Sequence, residues 1–235
     1  MDWIIKSNPD FLCLQETKLS SENFNIDKLN LSYKNIIINN SVLKKGFSGT
    51  ITLSKFKSTS YNFCNIVDYE NDGRIIEQHF NNFVLFNVYF PNGKTSEDRL
   101  KRKIEFYKAF LEYSINLRKE GKNIIICGDF NTAHKDIDLK ETKIHNKLGF
   151  SKNERECLND FIKNGFIDSY RYLHPDKKSA YSWWSYRSNG REKGEGWRID
   201  YILISDNVLD NLIDSYILDD VNGSDHCPIG IKIKL

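Results

Sequence analysis

Short apolar runs rich in isoleucine, valine and aromatic residues recur along the whole chain, at 10–14, 35–38, 49–53, 74–79, 83–89, 123–127, 181–184, 197–204 and 228–233. Runs this short, bounded by polar and turn-forming residues, read as strands, and their number requires a strand-dominated core. Between the fifth and sixth runs lies a helix. Ser96 can cap it, Glu97 and Asp98 suit its first turn, Leu100, Ile104, Tyr107 and Leu111 recur at helical spacing, and Gly121 stops it. A second helix is expected from Asn153 or Glu154 to Asn164, with Cys157, Leu158, Phe161 and Ile162 turned inward and Gly165 closing it. Strands and helices interleave without a regular βαβ alternation. An α+β layered sandwich, with helices outside two packed sheets, fits this order best.

Composition removes several classes. The chain has 235 residues, 40% apolar and 28% charged, enough to bury a sizeable core, and this excludes disorder, collagen and small disulfide scaffolds. Lys and Arg number 34 against 32 Asp and Glu, so the net charge is +2 and any nucleic-acid partner must be argued from local patches. No apolar run is long enough to cross a membrane, and Asp2, Pro9 and Asp10 stand where a secretory leader would be basic and then apolar, so the expectation is an intracellular protein, in cytoplasm, nucleoid or nucleus. Five cysteines without a Cys-x-x-Cys pair read as reduced thiols. No repeat, linker or low-complexity tract marks a boundary, and one domain over 1–235 is expected.

Four segments place polar groups where an apolar strand stops, the position from which a rigid scaffold can aim side chains into a cleft. Phe11-Leu12-Cys13-Leu14-Gln15 ends in Glu16. Ile124-Ile125-Ile126-Cys127 ends in Gly128-Asp129-Phe130-Asn131. Asp200 sits within Trp197-Arg198-Ile199-Asp200-Tyr201-Ile202, and Gly223-Ser224-Asp225-His226-Cys227-Pro228 sets Asp beside His just before the last strand. Taken singly, each has a plain structural reading: a solvated turn carboxylate, an Asx turn or a loop cap. Asp200 resists that reading, because a carboxylate between Ile199 and Tyr201 needs a partner, and a histidine oriented by it is a natural one. Together the segments offer a carboxylate for a hard cation, an Asp/Asn pair for water and an Asp-oriented His. That set suits metal-assisted phosphodiester cleavage. No serine or cysteine nucleophile elbow and no Walker-type phosphate loop is present.

In this order the segments resemble the exodeoxyribonuclease III type of apurinic/apyrimidinic endonuclease, within the endonuclease/exonuclease/phosphatase superfamily. The likeness runs through Pro9-Asp10-Phe11-Leu12-Cys13-Leu14-Gln15-Glu16-Thr17-Lys18, Gly46-Phe47-Ser48-Gly49, Asn87-Val88-Tyr89-Phe90-Pro91-Asn92-Gly93, Gly128-Asp129-Phe130-Asn131-Thr132-Ala133-His134, Trp197-Arg198-Ile199-Asp200-Tyr201 and Gly223-Ser224-Asp225-His226-Cys227-Pro228. The resemblance implies a four-layer αββα sandwich of the deoxyribonuclease-I-like kind. It implies Mg²⁺, with Mn²⁺ as an alternative, held by Glu16 with Asp225 beside it and Asp129 and Asn131 as further candidate ligands. By the same likeness, Asp129 aligns and deprotonates water, Asn131 positions it, and His226, oriented by Asp200, meets the scissile phosphate. Tyr89 reaches that phosphate and Asn92 a backbone phosphate.

The superfamily also cleaves RNA and phosphorylated small molecules, so the aromatic segment carries the substrate assignment. Trp183, Trp197 and Ile199 resemble the apolar pocket that receives a flipped-out, baseless sugar, with Trp184 read as core. Arg187 and Asn146 are expected DNA contacts. Arg187, Arg191, Lys193 and Arg198 form one basic stretch, and Lys44, Lys45, Arg99, Lys101, Arg102 and Lys103 form two more. The implied activity is incision of duplex DNA 5′ to abasic sites, with 3′ to 5′ exonuclease or 3′-phosphodiesterase activity and 3′-blocked ends as further substrates. A monomer that does not bind membranes is expected. Met1-Asp2-Trp3-Ile4 aligns with the helix after the family's first strand, which implies a chain short of that strand, by roughly 15 to 20 residues on ordinary element lengths. An inactive DNA-binding remnant, or a same-fold phosphodiesterase acting on RNA or a phosphorylated small molecule, is the alternative.

Overall fold

The apolar runs of the N-terminal half become antiparallel strands close to where the sequence puts them. The computed structural model describes residues 2–19, 33–64, 66, 71–93, 96–140 and 148–235. Its contacts group into two units, Met1–Tyr89 with Ile126–Gly128, and Phe90–Ile125 with Asp129–Leu235.

The first unit holds α1 (Asp2–Ser7), β1 (Phe11–Gln15), β2 (Asn35–Asn39), β3 (Thr50–Ser54), β4 (Ser60–Asn62), β5 (Ile75–His79) and β6 (Val84–Tyr89). β3 lies between β1 and β2 and is antiparallel to both, with Leu53 opposite Leu12 and Ile36. Ile51 and Leu53 are buried with Tyr33, and Leu12, Leu14, Ile36 and Ile38 pack on them. β4, β5 and β6 form an antiparallel meander. Asn87 of β6 is fully buried, and an unsatisfied amide there would be costly. Its Nδ2 donates to Leu14 O at 3.2 Å and Ile51 O at 2.9 Å, and its Oδ1 accepts from Gln15 Nε2 at 2.7 Å. This one side chain ties β6 to β1 and β3. Beside β6 runs the middle of β7 (Ile124–Asp129), where a Cβ on Gly128 would fall 1.8 Å from Val88 O. Only glycine allows that approach.

The second unit holds α2 (Glu97–Lys119), α3 (Lys152–Lys163), β8 (Phe166–Asp168), α4 (Ser169–Leu173), β9 (Trp183–Trp184), α5 (Gly190–Lys193), β10 (Gly196–Trp197), β11 (Asp200–Ser205), β12 (Leu212–Ile217) and β13 (Ile229–Ile233). Ser96 caps α2 by accepting from Arg99 N, as its sequence implies. The core is aromatic. Phe90 stacks on Phe130 at 4.1 Å, and Phe106, Tyr107 and Phe110 of α2 and Phe161 of α3 surround the pair. The ends of β7 and strands β11 and β8 follow one another in one sheet, while β9 pairs β10 and β12 pairs β13.

The mixed helix and strand content agrees with the expected α+β class, and several local readings need correction. Ile162 is 41% exposed rather than inward, because α3 turns Glu154, Cys157, Leu158 and Phe161 to the interior. That helix also starts earlier, at a capping box of Ser151 and Glu154. The expected strand at 197–204 is broken into β10 and β11. Arg198 N is diverted to Asp138 O at 2.7 Å and Ile199 O to Phe130 N at 2.9 Å, so neither continues a regular ladder. The run at 181–184 narrows to β9. Strands β4, β8 and β12 had no expectation; the first two are three residues long, and β12 lacks clean alternation, with Ile213 66% exposed. Among the described residues, no helix is long and apolar enough to cross a membrane.

Candidate active site

In the second unit the end of β7, the start of β11 and the loop before β13 meet. Asp200, 8% exposed, accepts from His226 Nδ1, which lies 2.9 Å from Oδ2 and 3.1 Å from Oδ1. The contact sets the imidazole's orientation and leaves Nε2 as the nitrogen able to meet a substrate. Burial works against charge on this ring. The Asp200 carboxylate outweighs it, with Asp129 and Asp225 adding to the effect, and the His226 pKa rises to about 10. Near neutrality the ring is an imidazolium.

A residue that sequence reasoning missed holds this pair. Ser182 is fully buried; its hydroxyl donates to Asp200 Oδ2 at 2.6 Å and accepts from the amides of Ile199 and Asp200, each at 3.1 Å. Its carbonyl accepts from Cys227 N at 2.8 Å, and Trp184 N donates to Asp225 O at 2.9 Å. The Tyr181–Trp184 segment and the Asp225–His226 loop are thus joined by backbone hydrogen bonds on both sides of His226. Serine is common and small, and nothing in its sequence context marked it.

Asp129, Asp200 and His226 bring ligand-type atoms within 4.8 Å of one another. Asn131 fixes the Asp129 carboxylate from two directions, its backbone N–H donating to Oδ1 at 2.7 Å and its Nδ2 to Oδ2 at 3.1 Å. It does so from a left-handed backbone, φ 51°, a conformation that costs a non-glycine residue energy and that clusters at functional sites. Trp183 Nε1 donates to Asp225 Oδ2 at 3.0 Å. The Trp183 and Trp197 rings meet edge to face at 6.4 Å and pack on a buried group of Ala133, Leu139, Phe150 and Ile199. Trp184 is 5% exposed in a separate cluster with Tyr181 and Cys227, the core position expected of it.

In the first unit Glu16 follows β1, exposed and also left-handed at φ 51°. The turn is held by Thr17 N to Gly49 O at 3.1 Å and Lys18 N to Ser48 O at 2.8 Å, which accounts for the Ser48-Gly49 segment. Lys18 Nζ stands 3.0 Å from Glu16 Oε1, a positive charge already drawn to that carboxylate. Tyr89 ends β6, 8% exposed, beneath the Arg74 guanidinium at 5.1 Å.

Two carboxylates have the chemistry that suits a hard divalent cation: Asp225 in the second unit, partly buried, and Glu16 in the first, exposed. The Asp129, Asp200 and His226 trio is a second group of ligand-type atoms, in which Asp200 already serves His226 and Ser182.

The basic stretches need three corrections. Arg198 is 1% exposed and bonds Asp138 and Asp168, and Lys103 is 0% exposed and bonds Glu154, so neither is free to touch phosphate. Arg191 is also engaged, donating to Val221 O and Asn222 Oδ1 and lying 4.3 Å over Trp184. Arg187, Lys193, Lys44, Lys45, Arg99, Lys101, Arg102 and Asn92 are exposed. Asn146 lies outside the described residues.

Comparison with known proteins gives the family. The sequence matches the endonuclease/exonuclease/phosphatase family over residues 1–226. It is 37% identical to an exodeoxyribonuclease of Bacillus subtilis (strain 168), covering all of this chain and 92% of the relative. It is also 37% identical to a DNA-(apurinic or apyrimidinic site) endonuclease of Dictyostelium discoideum, covering all of this chain and 65% of that protein. The solved structure of a Neisseria 3′ phosphatase bound to a product DNA hairpin superposes with a TM-score of 0.90 at 26% identity, covering all of this chain and 93% of the other. The chain therefore belongs to the endonuclease/exonuclease/phosphatase family, as an enzyme of its nuclease and phosphodiesterase type.

Proposed function

We propose that the enzyme is a DNA repair nuclease that, with Mg²⁺, hydrolyses the phosphodiester 5′ to an abasic site in duplex DNA. The observation that carries this reading is the close grouping of the hydrogen-bonded His226–Asp200 pair with the Asn131-held Asp129 carboxylate. Beside it lies a wall of two indoles. In-line attack on phosphorus needs chiefly positioning and charge stabilisation, and each group has a part in that. Asp129 takes a proton from water as its oxygen attacks, the bond from phosphorus to the 3′ oxygen breaks, and that oxygen takes a proton from solvent to leave as a hydroxyl. His226, held by Asp200, presents its imidazole to the phosphate, and the family resemblance gives the Tyr89 phenol the part of a second donor. By the same resemblance Glu16 and Asp225 would hold the cation, which when bound supplies Lewis-acid stabilisation of the phosphate charge.

Trp183, Trp197 and Ile199 form an apolar wall suited to a deoxyribose without its base. Arg187, Asn92 and the exposed lysines and arginines supply contacts to backbone phosphates that carry no sequence preference. Support comes also from the relatives, one described as acting at abasic sites and another as an exodeoxyribonuclease.

The test is a panel of labelled substrates: a duplex with one tetrahydrofuran site, the undamaged duplex, a duplex ending in 3′-phosphate and single-stranded RNA. Mg²⁺-dependent cutting of the tetrahydrofuran duplex, immediately 5′ to the lesion, is expected, with the undamaged duplex intact over the same time. Cutting of RNA with the lesion duplex untouched would overturn the reading. The 3′-phosphate duplex belongs in the panel because the Neisseria protein is described as a 3′ phosphatase.

A further inference from the structure

Lys103 is a buried charge that the chemistry above does not use. Its ammonium lies 2.5 Å from Glu154 Oε1, and that ion pair by itself would explain why a lysine is tolerated there. Its other bond goes elsewhere, to the carbonyl oxygen of Asn131 at 2.7 Å. Burial pulls the lysine pKa down, and Glu154 works against that fall.

Asn131 is the residue whose left-handed backbone aims two donors at Asp129. The neighbouring carbonyls are gripped in the same way. Phe130 O accepts from the Tyr107 hydroxyl at 2.6 Å, one helical turn beyond Lys103 on α2, and Thr132 O accepts from the Tyr201 hydroxyl of β11 at 2.9 Å. Thus the carbonyls of Phe130, Asn131 and Thr132 each meet a separate buried side-chain donor. A loop held only by packing would not need three, and a left-handed asparagine persists only where its surroundings over-determine it.

We propose that Lys103 is a positioning residue for hydrolysis: by holding the Asn131 carbonyl it fixes the turn that keeps the Asp129 carboxylate aligned for water. Tyr107 and Tyr201 complete the clamp. The inference rests on the reading of Asp129 as the group that accepts the proton from water. It differs from a purely structural role, in which Lys103 only fastens α2 to α3 through Glu154.

The two roles separate by choice of variant. Lys103→Met alone would leave Glu154 buried and unpaired and could fail to fold, so the double variant Lys103→Met/Glu154→Gln is used. Phe110→Leu, a buried position further along α2, serves as a destabilised control outside the site. The proposal predicts that kcat falls about 100-fold in the double variant, with KM changed less than about threefold, while Phe110→Leu keeps kcat within about threefold. The Asn131 amide, bonded to Asp129 in the native protein, should also exchange its hydrogen at least about tenfold faster in the double variant than in the control. Rates are taken on whichever substrate of the panel the native enzyme cuts, and exchange is measured without substrate, so an error about the lesion does not affect the outcome. A double variant with control-like kcat, or with native protection at the Asn131 amide, would overturn the proposal.

Discussion

Two charge clusters of the second unit are built from neighbouring residues and serve opposite ends. Arg198 joins a buried quartet with Asp138, Asp168 and Arg171; its Nε and Nη2 reach Asp138 at 2.8 and 3.1 Å, its Nη1 and Nη2 reach Asp168 at 3.1 and 2.7 Å, and Arg171 meets Asp138 at 2.6 Å. Two positive and two negative charges cancel, each shielded from water. Two positions along, Asp200 joins a group that is left open: His226 keeps a ring nitrogen for a substrate, and its side chain is 24% exposed. A saturated cluster can only hold structure, whereas one with a spare donor and access to solvent can act on a ligand. Trp197 and Ile199 flank Arg198, so the closed cluster braces the wall of the open one.

Substitutions should divide along that line. The largest effect on rate is expected at the open cluster, where His226→Ala lowers kcat by about 1,000- to 10,000-fold, ~4–5.5 kcal/mol of barrier, and also lowers stability in urea unfolding, because the buried Asp200 loses its counter-charge. Next comes Arg198→Met, which strands Asp138 and Asp168 and costs about 3–5 kcal/mol of stability in urea unfolding. Its kcat per folded molecule should fall far less than that of His226→Ala; the reverse would merge the two clusters into one. Acid sharpens the contrast further. Burial raises the Asp138 pKa, but the Arg198 and Arg171 guanidinium groups outweigh it and hold the carboxyl at about 2. A carboxyl depressed on folding adds stability above its unfolded value near 3.8 and loses it as pH falls towards 2, a window worth about 2 kcal/mol. Urea unfolding from pH 5 to pH 2 should show that loss, and Asp138→Asn should lack it. Smallest is Ser182→Ala, which removes one buried donor to Asp200 and should cost about 1–2 kcal/mol, seen as a roughly tenfold lower kcat. An unchanged kcat there would mean that His226 needs no support beyond Asp200.

The open cluster was far more legible in the sequence than the closed one. Asp200 announced itself as a carboxylate inside an apolar run, Asp129 and Asn131 stood at a strand end, and Asp225 and His226 just before the last strand, so their chemistry is written in local pattern. Lys103 and Arg198 carry no such mark. Each sits in a basic stretch that looks solvated, and what buries it is a partner far along the chain, Glu154 51 residues from Lys103 and Asp138 60 residues from Arg198. Local periodicity cannot report a pairing at that distance. The break between β10 and β11 was hidden for the same reason, since the groups that divert its backbone come from residues 130 and 138. The positions of most strands along the chain and the two long helices, by contrast, follow from local apolar spacing and caps.

In the proposed reaction, water aligned by Asp129 attacks the phosphate 5′ to a missing base while His226 faces the developing charge. A single turnover of the tetrahydrofuran duplex with Mg²⁺ in ¹⁸O-water tests this most directly. One cut is expected, with a 3′-hydroxyl on the upstream strand, one ¹⁸O in the 5′-phosphate of the downstream fragment, and loss of the reaction in His226→Ala. A cut at another position, an unlabelled phosphate, or equal cutting by His226→Ala would contradict it.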